Sequence, residues 1–199
     1  MRPGQLKAMI TNQQQPIAHG HRISTFELNS VLGAGGFGIT YKAIDLNLQR
    51  AVAIKEYFPV EFAYRDRDGV AVKPRAADFV PSYRAGLKLF LREARTLAKF
   101  RHPSIVRISQ LLLAANTAYI VMDYERGETL LTTMLANDYM SSPRINQIAH
   151  DVLAGLTAVH AQAITHGDVT PKNIFLREDG TAVLLDFGAT RSTDRKSVV

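Results

Sequence analysis

Not one cysteine occurs in the 199 residues. That excludes a disulfide framework, a thiolate metal site and a thiol nucleophile, and it fits a reducing compartment. No apolar run reaches the roughly 18 residues that a membrane-spanning helix needs. The first 20 residues are polar, with Thr11-Asn12-Gln13-Gln14-Gln15-Pro16 among them, and they lack the apolar core of a signal peptide. A cytoplasmic location is therefore expected. No internal repeat is evident. The net charge of +6 has no basic stripe with stacking aromatics behind it, so nucleic acid is not the expected partner. Arg65, Arg67, Lys73 and Arg75 are interleaved with Asp66, Asp68 and Asp78. A modestly basic surface also suits a small polyanionic ligand.

What is present is ordinary globular composition, 46% hydrophobic and 21% charged, enough to fold as one medium domain or two small lobes. Residues 1–22 are expected to be a disordered lead-in. Residues 24–31 run into Gly33-Ala34-Gly35-Gly36-Phe37-Gly38, residues 39–44 continue as a strand, and Asp45 to Arg50 turns into a third, Ala51-Val52-Ala53-Ile54-Lys55. This is an antiparallel meander. Residues 57–81 form an irregular insertion broken by Pro59, Pro74 and Pro81, with a small hairpin at Asp68-Gly69. The spacing of Leu87, Phe90, Leu91, Ala94, Leu97 and Ala98 predicts a helix over 82–100, ended by His102-Pro103. Two strands follow, at 105–115 and 118–124. A break at 125–128 sets a boundary between 23–125 and 126–199. Ser142-Pro143 predicts a helix start, and Ile145, Ile148, Ala149, Val152, Leu153, Leu156, Val159 and His160 fall on one face. A last hairpin spans 173–185.

The glycine cluster is followed by a strand, so it is a hairpin loop rather than the strand-to-helix turn of a dinucleotide site. Gly33, Gly35 and Gly38 permit positive φ and close backbone approach, which would let backbone N–H groups cover phosphates. A tight hairpin without a ligand is the alternative for this motif alone. Lys55 is a single cation on an apolar strand and needs an anionic partner; Glu93, on the predicted helix, is the candidate. Asp168 and Asn173 lie five apart in His166-Gly167-Asp168-Val169-Thr170-Pro171-Lys172-Asn173, and Asp186-Phe187-Gly188 follows. Phosphoryl transfer needs a carboxylate to orient and deprotonate a hydroxyl, and oxygen ligands for Mg²⁺. Asp168 suits the first role, Asn173 and Asp186 the second. Any one of these is also a turn former, but the ordered set is not plausibly coincidence. His160 is expected to be a core histidine and His166 to orient the loop that follows it.

From about residue 24 onward the chain resembles the Hanks-type, eukaryotic-like Ser/Thr protein kinases of bacteria, and Ile54-Lys55-Glu56-Tyr57-Phe58-Pro59 is similar to a group of bacterial members. The resemblance implies an α+β, protein-kinase-like fold: an antiparallel β N-lobe with one helix, and a truncated, mainly helical C-lobe. It implies ATP and Mg²⁺ as ligands and a protein as phosphate acceptor. Lys55 and Glu93 would hold the α- and β-phosphates. Gly33, Ala34, Gly35, Gly36, Phe37 and Gly38 would cover the nucleotide, and Leu32, Thr40, Ala53 and Phe175 would line the adenine pocket. Met122 would be the gatekeeper and Asp123-Tyr124-Glu125 the hinge.

Three departures from the family pattern stand out. Gly167 replaces the arginine that usually pairs with a phosphorylated activation loop. Thr170 stands where a lysine usually aids the transferred phosphate. The chain stops at Val199, within the activation segment, before the expected Ala-Pro-Glu and its helices, so a partner chain or a further C-terminal segment is expected to cover the helix starting near Ser142. A kinase-like ATP-binding regulatory module acting through a partner is therefore the alternative to a kinase. A metabolite or aminoglycoside phosphotransferase shares similar aspartates but fits the Lys55, Glu93 and His102-Pro103 context less well.

Overall fold

Burial alternates with a period of two along residues 38–45, and the largest sheet of the protein is built around that strand. The computed structural model describes residues 15–136, 139–186 and 191–192. Residues 1–14 of the expected lead-in, and Phe187 and Gly188 of the last motif, lie outside the described residues. The fold divides into two units, Met1–Ala94 with Ile108–Tyr124, and Arg95–Arg107 with Glu125–Val199. Among the described residues no helix is long and apolar enough to cross a membrane.

The first unit is a six-stranded antiparallel sheet of β1 (Arg22–Ile23), β2 (Phe26–Gly35), β3 (Gly38–Asp45), β4 (Arg50–Tyr57), β7 (Ile108–Ala114) and β8 (Thr117–Asp123), in the order β1-β2-β3-β4-β8-β7. The expected meander is β2-β3-β4. Asp45 closes its second turn by accepting from the backbone N–H groups of Asn47 and Leu48 at 3.0 and 3.1 Å. Ala115 and Asn116 both take positive φ between β7 and β8, the geometry that matches strand twist in a two-residue hairpin. The insertion carries a separate hairpin, β5 (Ala63–Arg65) against β6 (Val72–Pro74). Its loop is tied by Asp68, whose carboxylate accepts from Val70 and Ala71.

Helix α1 (Val80–Leu97) starts earlier and ends sooner than the 82–100 expected. It buries Tyr83, Phe90, Ala94 and Leu97, while Leu87 and Leu91 are half-buried and Ala98 is exposed. Tyr57, the last residue of β4, sets its seat. The Tyr57 ring lies 5.3 Å from Tyr83 and 5.5 Å from Phe90, centroid to centroid. Its hydroxyl donates to the Tyr83 carbonyl at 3.1 Å, and burial together with Tyr83 pushes its pKa up to about 12. A Cβ on Gly86 would lie 2.1 Å from that hydroxyl, so a side chain at residue 86 would displace the Tyr57 ring from this seat.

Neighbouring residues on a strand point to opposite faces, and Lys55 and Glu56 divide β4 accordingly. Glu56 is fully buried and forms a two-pronged ion pair with Arg65, Nη1 to Oε1 at 2.8 Å and Nη2 to Oε2 at 2.6 Å. The hydroxyls of Tyr41 and Tyr119 donate to the same carboxylate at 2.9 and 3.2 Å. Arg65 Nε in turn donates to the Gln15 carbonyl, and the Ile17 N–H donates to Tyr41. Burial opposes the Arg65 charge, but the Glu56 carboxylate outweighs it and holds the guanidinium above its ordinary pKa. The network joins β3, β4, β8, the insertion hairpin and the segment around buried Ile17, so the described end of the lead-in is packed on the sheet.

The second unit holds β9 (Gly127–Thr129), α2 (Leu130–Leu135), α3 (Ser142–His160), β10 (Ile164–Thr165), β11 (Ile174–Arg177), β12 (Ala182–Leu184) and β13 (Arg191–Ser192). The strands pair as β12-β11-β9 and β10-β13. The hairpin expected over 173–185 is β11-β12. Helix α3 begins as expected near Ser142-Pro143, although Ser141 is the N-cap.

The buried face of α3 differs from the periodic reading. Ile148, Asp151, Gly155 and Val159 are buried, whereas Ile145 and Leu153 are 50% and 62% exposed. The cause is polar and steric. Asp151 accepts from the N–H of Ala182 on β12 at 2.9 Å, and a Cβ on Gly155 would meet the Ser104 carbonyl at 3.0 Å. These two contacts rotate the helix so that an acid and a glycine face inward. His160 is exposed rather than a core residue, because this rotation carries the last turn's imidazole to the surface.

Candidate active site

In the first unit β2 and β3 form the glycine hairpin, with Gly33 opposite Thr40 and Gly35 opposite Gly38. None of Gly33, Gly35, Gly36 or Gly38 uses the positive φ that glycine permits; the hairpin is extended up to its crest. Close approach is real at one of them. A Cβ on Gly38 would lie 2.2 Å from the Glu56 carbonyl oxygen. At Gly33, Gly35 and Gly36 a Cβ would meet nothing within 4 Å, so no packing among the described residues demands glycine there. The crest is tethered from behind: Phe58 N–H donates to the Phe37 carbonyl at 3.0 Å and Val60 N–H to Gly36 at 3.1 Å. Phe37 itself is 74% exposed. Leu32 is also exposed and Ala34 half-buried.

Strand register collects several predicted residues on one sheet face. Thr40 is opposite Lys55, Lys42 opposite Ala53, and Ala53 opposite Met122. Ala53 and Met122 are buried. Lys55 is half-buried, with Nζ 6.0 Å from the Phe90 ring centroid on α1. Glu93 lies about one turn further along that helix and is also half-buried. At the end of β8 Asp123 accepts from Arg50 at 3.4 Å, and the Tyr124 ring carries Lys42 Nζ 4.5 Å from its centroid.

In the second unit residues 166–173 form a loop closed on itself. Asn173 is buried in a 3-10 turn begun by Pro171. Its Nδ2 donates both to the Asp168 carbonyl at 3.0 Å and to Asp168 Oδ2 at 2.8 Å. Leu185 N–H donates to the Asn173 carbonyl at 3.0 Å, which ties the segment leading into Asp186 to the same loop. Gly167 has φ of +76°, a left-handed conformation that a side chain would strain. His166 is buried, and its Nδ1 accepts from the Asp168 N–H at 3.3 Å. Burial holds its pKa below the ordinary imidazole value, against the opposing charges of Asp186 and Asp168. Burial thus favours its neutral form, and its Nδ1 orients the loop through the Asp168 N–H. Phe175, on β11, is half-buried opposite Thr129 and Val183.

Two features of this unit were not read from the sequence. Lys172 Nζ lies 3.6 Å from Asp168 Oδ2; its four-residue offset from Asp168 was the available signal. Arg177 makes a two-pronged pair with Glu125 at 2.6 and 2.7 Å and also donates to the Pro103 carbonyl at 2.9 Å. That bond fastens the expected hinge residue Glu125 to the β11-β12 hairpin and to the turn at His102-Pro103. No local pattern announces a partner 52 residues away.

Among the described residues no group of three or more His, Asp or Glu side chains could by itself hold a metal ion. Mg²⁺ does not require one, since it is commonly bound through one or two carboxylates, waters and substrate phosphates. An amide oxygen on Asn173 and a carboxylate on Asp186 are hard oxygen donors of the right kind, and the donor set fits.

Comparison with known proteins agrees across sequence and structure. A family profile described as "Protein kinase domain" matches residues 26–198. The chain is 31% identical over 170 residues to the serine/threonine-protein kinase PrkC of Bacillus subtilis, covering 85% of this chain and 23% of that protein. It is 29% identical over 195 residues to a probable serine/threonine-protein kinase, PknB, of Bifidobacterium longum, covering 94% of this chain and 25% of the relative. Among solved structures, "PpkA-294 apo form" superposes with a TM-score of 0.85 at 32% identity, over 88% of this chain and 63% of that one. The chain thus spans about a quarter of the length of these curated relatives.

Proposed function

This chain belongs to the protein kinase domain family, and from that footing we propose that it binds ATP with Mg²⁺ and passes the γ-phosphoryl group to a serine or threonine hydroxyl of a protein. The observation that carries the reading is the locked pair of Asp168 and Asn173, with the strand leading to Asp186 bonded to Asn173. Asn173 engages one carboxylate oxygen of Asp168 and leaves the other to orient the acceptor hydroxyl. As the hydroxyl oxygen bonds to the γ-phosphorus, its proton passes to Asp168. The bond from that phosphorus to the bridging oxygen breaks, and its electron pair leaves with ADP. His166, kept neutral by burial, holds the loop through the Asp168 N–H without competing for that proton.

Mg²⁺ held by Asn173 and Asp186 would neutralise charge on the phosphate oxygens. Lys55, with Glu93 as partner, is assigned to the α- and β-phosphates. Gly33, Gly35 and Gly36 leave the open space that backbone approach to phosphates requires. Leu32, Thr40, Ala53, Met122, Asp123, Tyr124 and Phe175 are assigned to the nucleoside. Acceptor proteins are assigned by family alone.

The test is transfer of label from the γ-position of ATP to a generic protein substrate or to the chain itself. Asp168→Asn is expected to abolish transfer and to leave ATP affinity within about twofold, because the aspartate acts in the transition state rather than in ground-state binding. Transfer that survives the change removes Asp168 from the base role. Wild-type protein that binds Mg·ATP yet transfers nothing points instead to a nucleotide-binding regulatory module.

A further inference from the structure

Phosphoryl transfer brings a phosphoryl group, its negative charge spread over three oxygens, beside the carboxylate that accepts the hydroxyl proton. Beyond Mg²⁺, a side-chain cation placed where the two meet would offset both charges. Thr170 cannot supply it: the side chain is neutral, and its hydroxyl is buried without a hydrogen-bond partner among the described residues. Resting on the ATP reading above, we infer that Lys172 is the catalytic-loop cation of this chain and contacts the γ-phosphate.

The placement follows from local backbone geometry. Pro171 opens a 3-10 turn over Pro171–Asn173, and its fixed φ favours a tight turn. Through that turn Lys172 comes back over Asp168, and its Nζ stands 3.6 Å from Oδ2, the oxygen already held by Asn173. That separation is longer than a close hydrogen-bonded pair, and the Lys172 side chain is 60% exposed. An exposed pair of this kind contributes little to stability. The ammonium therefore remains available for a second anion beside Asp168, which is where the proposed reaction puts the transferred phosphoryl group. Lysine suits the task, being a compact charge on a flexible stem. It stays protonated throughout, and the proton that moves is the acceptor hydroxyl's.

The contact is made only by a nucleotide that has a γ-phosphate, which gives a readout independent of turnover. Lys172→Met keeps the stem and removes the charge; Lys172→Arg keeps a charge. Binding of Mg·ATP and Mg·ADP is measured by calorimetry for wild type and both variants. In Lys172→Met, ATP affinity is expected to fall about tenfold, the loss of one partly exposed charge-assisted contact. ADP affinity and melting temperature should not change, and Lys172→Arg should recover most of the loss. Unchanged ATP binding in Lys172→Met overturns the inference. So does an equal fall for both nucleotides, which would make Lys172 a structural part of the loop. Wild-type protein that binds neither nucleotide overturns the ATP reading itself, and this assignment with it; loss confined to the variant leaves that reading standing.

Discussion

Replacing Arg65 with methionine leaves a carboxylate in the interior without its counter-charge. Both side chains of the Glu56–Arg65 pair are completely shielded from solvent. Removing one partner of such a pair typically destabilises by about 3–5 kcal/mol. Two donors would remain on Glu56, the hydroxyls of Tyr41 and Tyr119, so a loss near the lower end, about 3 kcal/mol, is expected. The bonds from Arg65 to the Gln15 and Val70 carbonyls would disappear as well. Against a total stability of about 5–15 kcal/mol this is a large fraction. Urea denaturation followed by circular dichroism measures it. The double variant Glu56→Gln/Arg65→Met removes both charges and keeps a hydrogen-bonding group facing the two tyrosines. It should be more stable than Arg65→Met alone by about 1 kcal/mol or more. Two results would refute the reasoning: an Arg65→Met loss within the ~0.5 kcal/mol of an ordinary surface change, or a double variant no better than the single one.

Gly38→Ala drives a Cβ into the Glu56 carbonyl and should destabilise by about 1–3 kcal/mol, as overpacking does; Gly36→Ala, with open space around it, should stay within about 0.5 kcal/mol. Equal unfolding midpoints for the two variants would contradict the assigned packing. His166, whose pKa is lowered on folding, binds a proton more readily in the unfolded chain, so its contribution to stability falls as pH drops through the ordinary imidazole range. Denaturation at a series of pH values between about 7.5 and 5.5 should show a shallower decline for His166→Gln than for wild type, and parallel curves would contradict the assignment. The Asp168 and Lys172 variants described above complete the set.

Much of the architecture was legible because it is written in short-range patterns. The meander at 24–55 follows from alternation and turn residues, and the hairpin expected over 173–185 is β11-β12. The candidate site residues were picked out by type and order. What escaped was set by contacts distant in sequence. The face of α3 is fixed by Asp151 bonding to Ala182 and by Gly155 meeting Ser104, and neither contact leaves a trace in hydrophobic periodicity. Ile145 and Leu153 read as core yet lie exposed. Glu56 was passed over because it sits next to Lys55, although strand alternation alone sends it to the opposite face. The short helix α2 was missed for want of length; its cap is the Thr129 hydroxyl, which accepts from the Thr132 N–H.

The glycine hairpin is usually pictured as loosest at its crest. Here the two amide bonds from Phe58 and Val60 anchor the crest to the backbone that follows β4, and Gly38 rests directly on the Glu56 carbonyl. The crest is therefore held to the strand bearing Lys55 by backbone contacts on both sides of the turn. The irregular part of the hairpin is the rising arm, where the β2-β3 register slips twice, between Leu28 and Ser30 and between Val31 and Gly33. A ligand covered by the crest would thus lie against backbone tied to β4, whose Glu56 side chain belongs to the buried ion pair with Arg65.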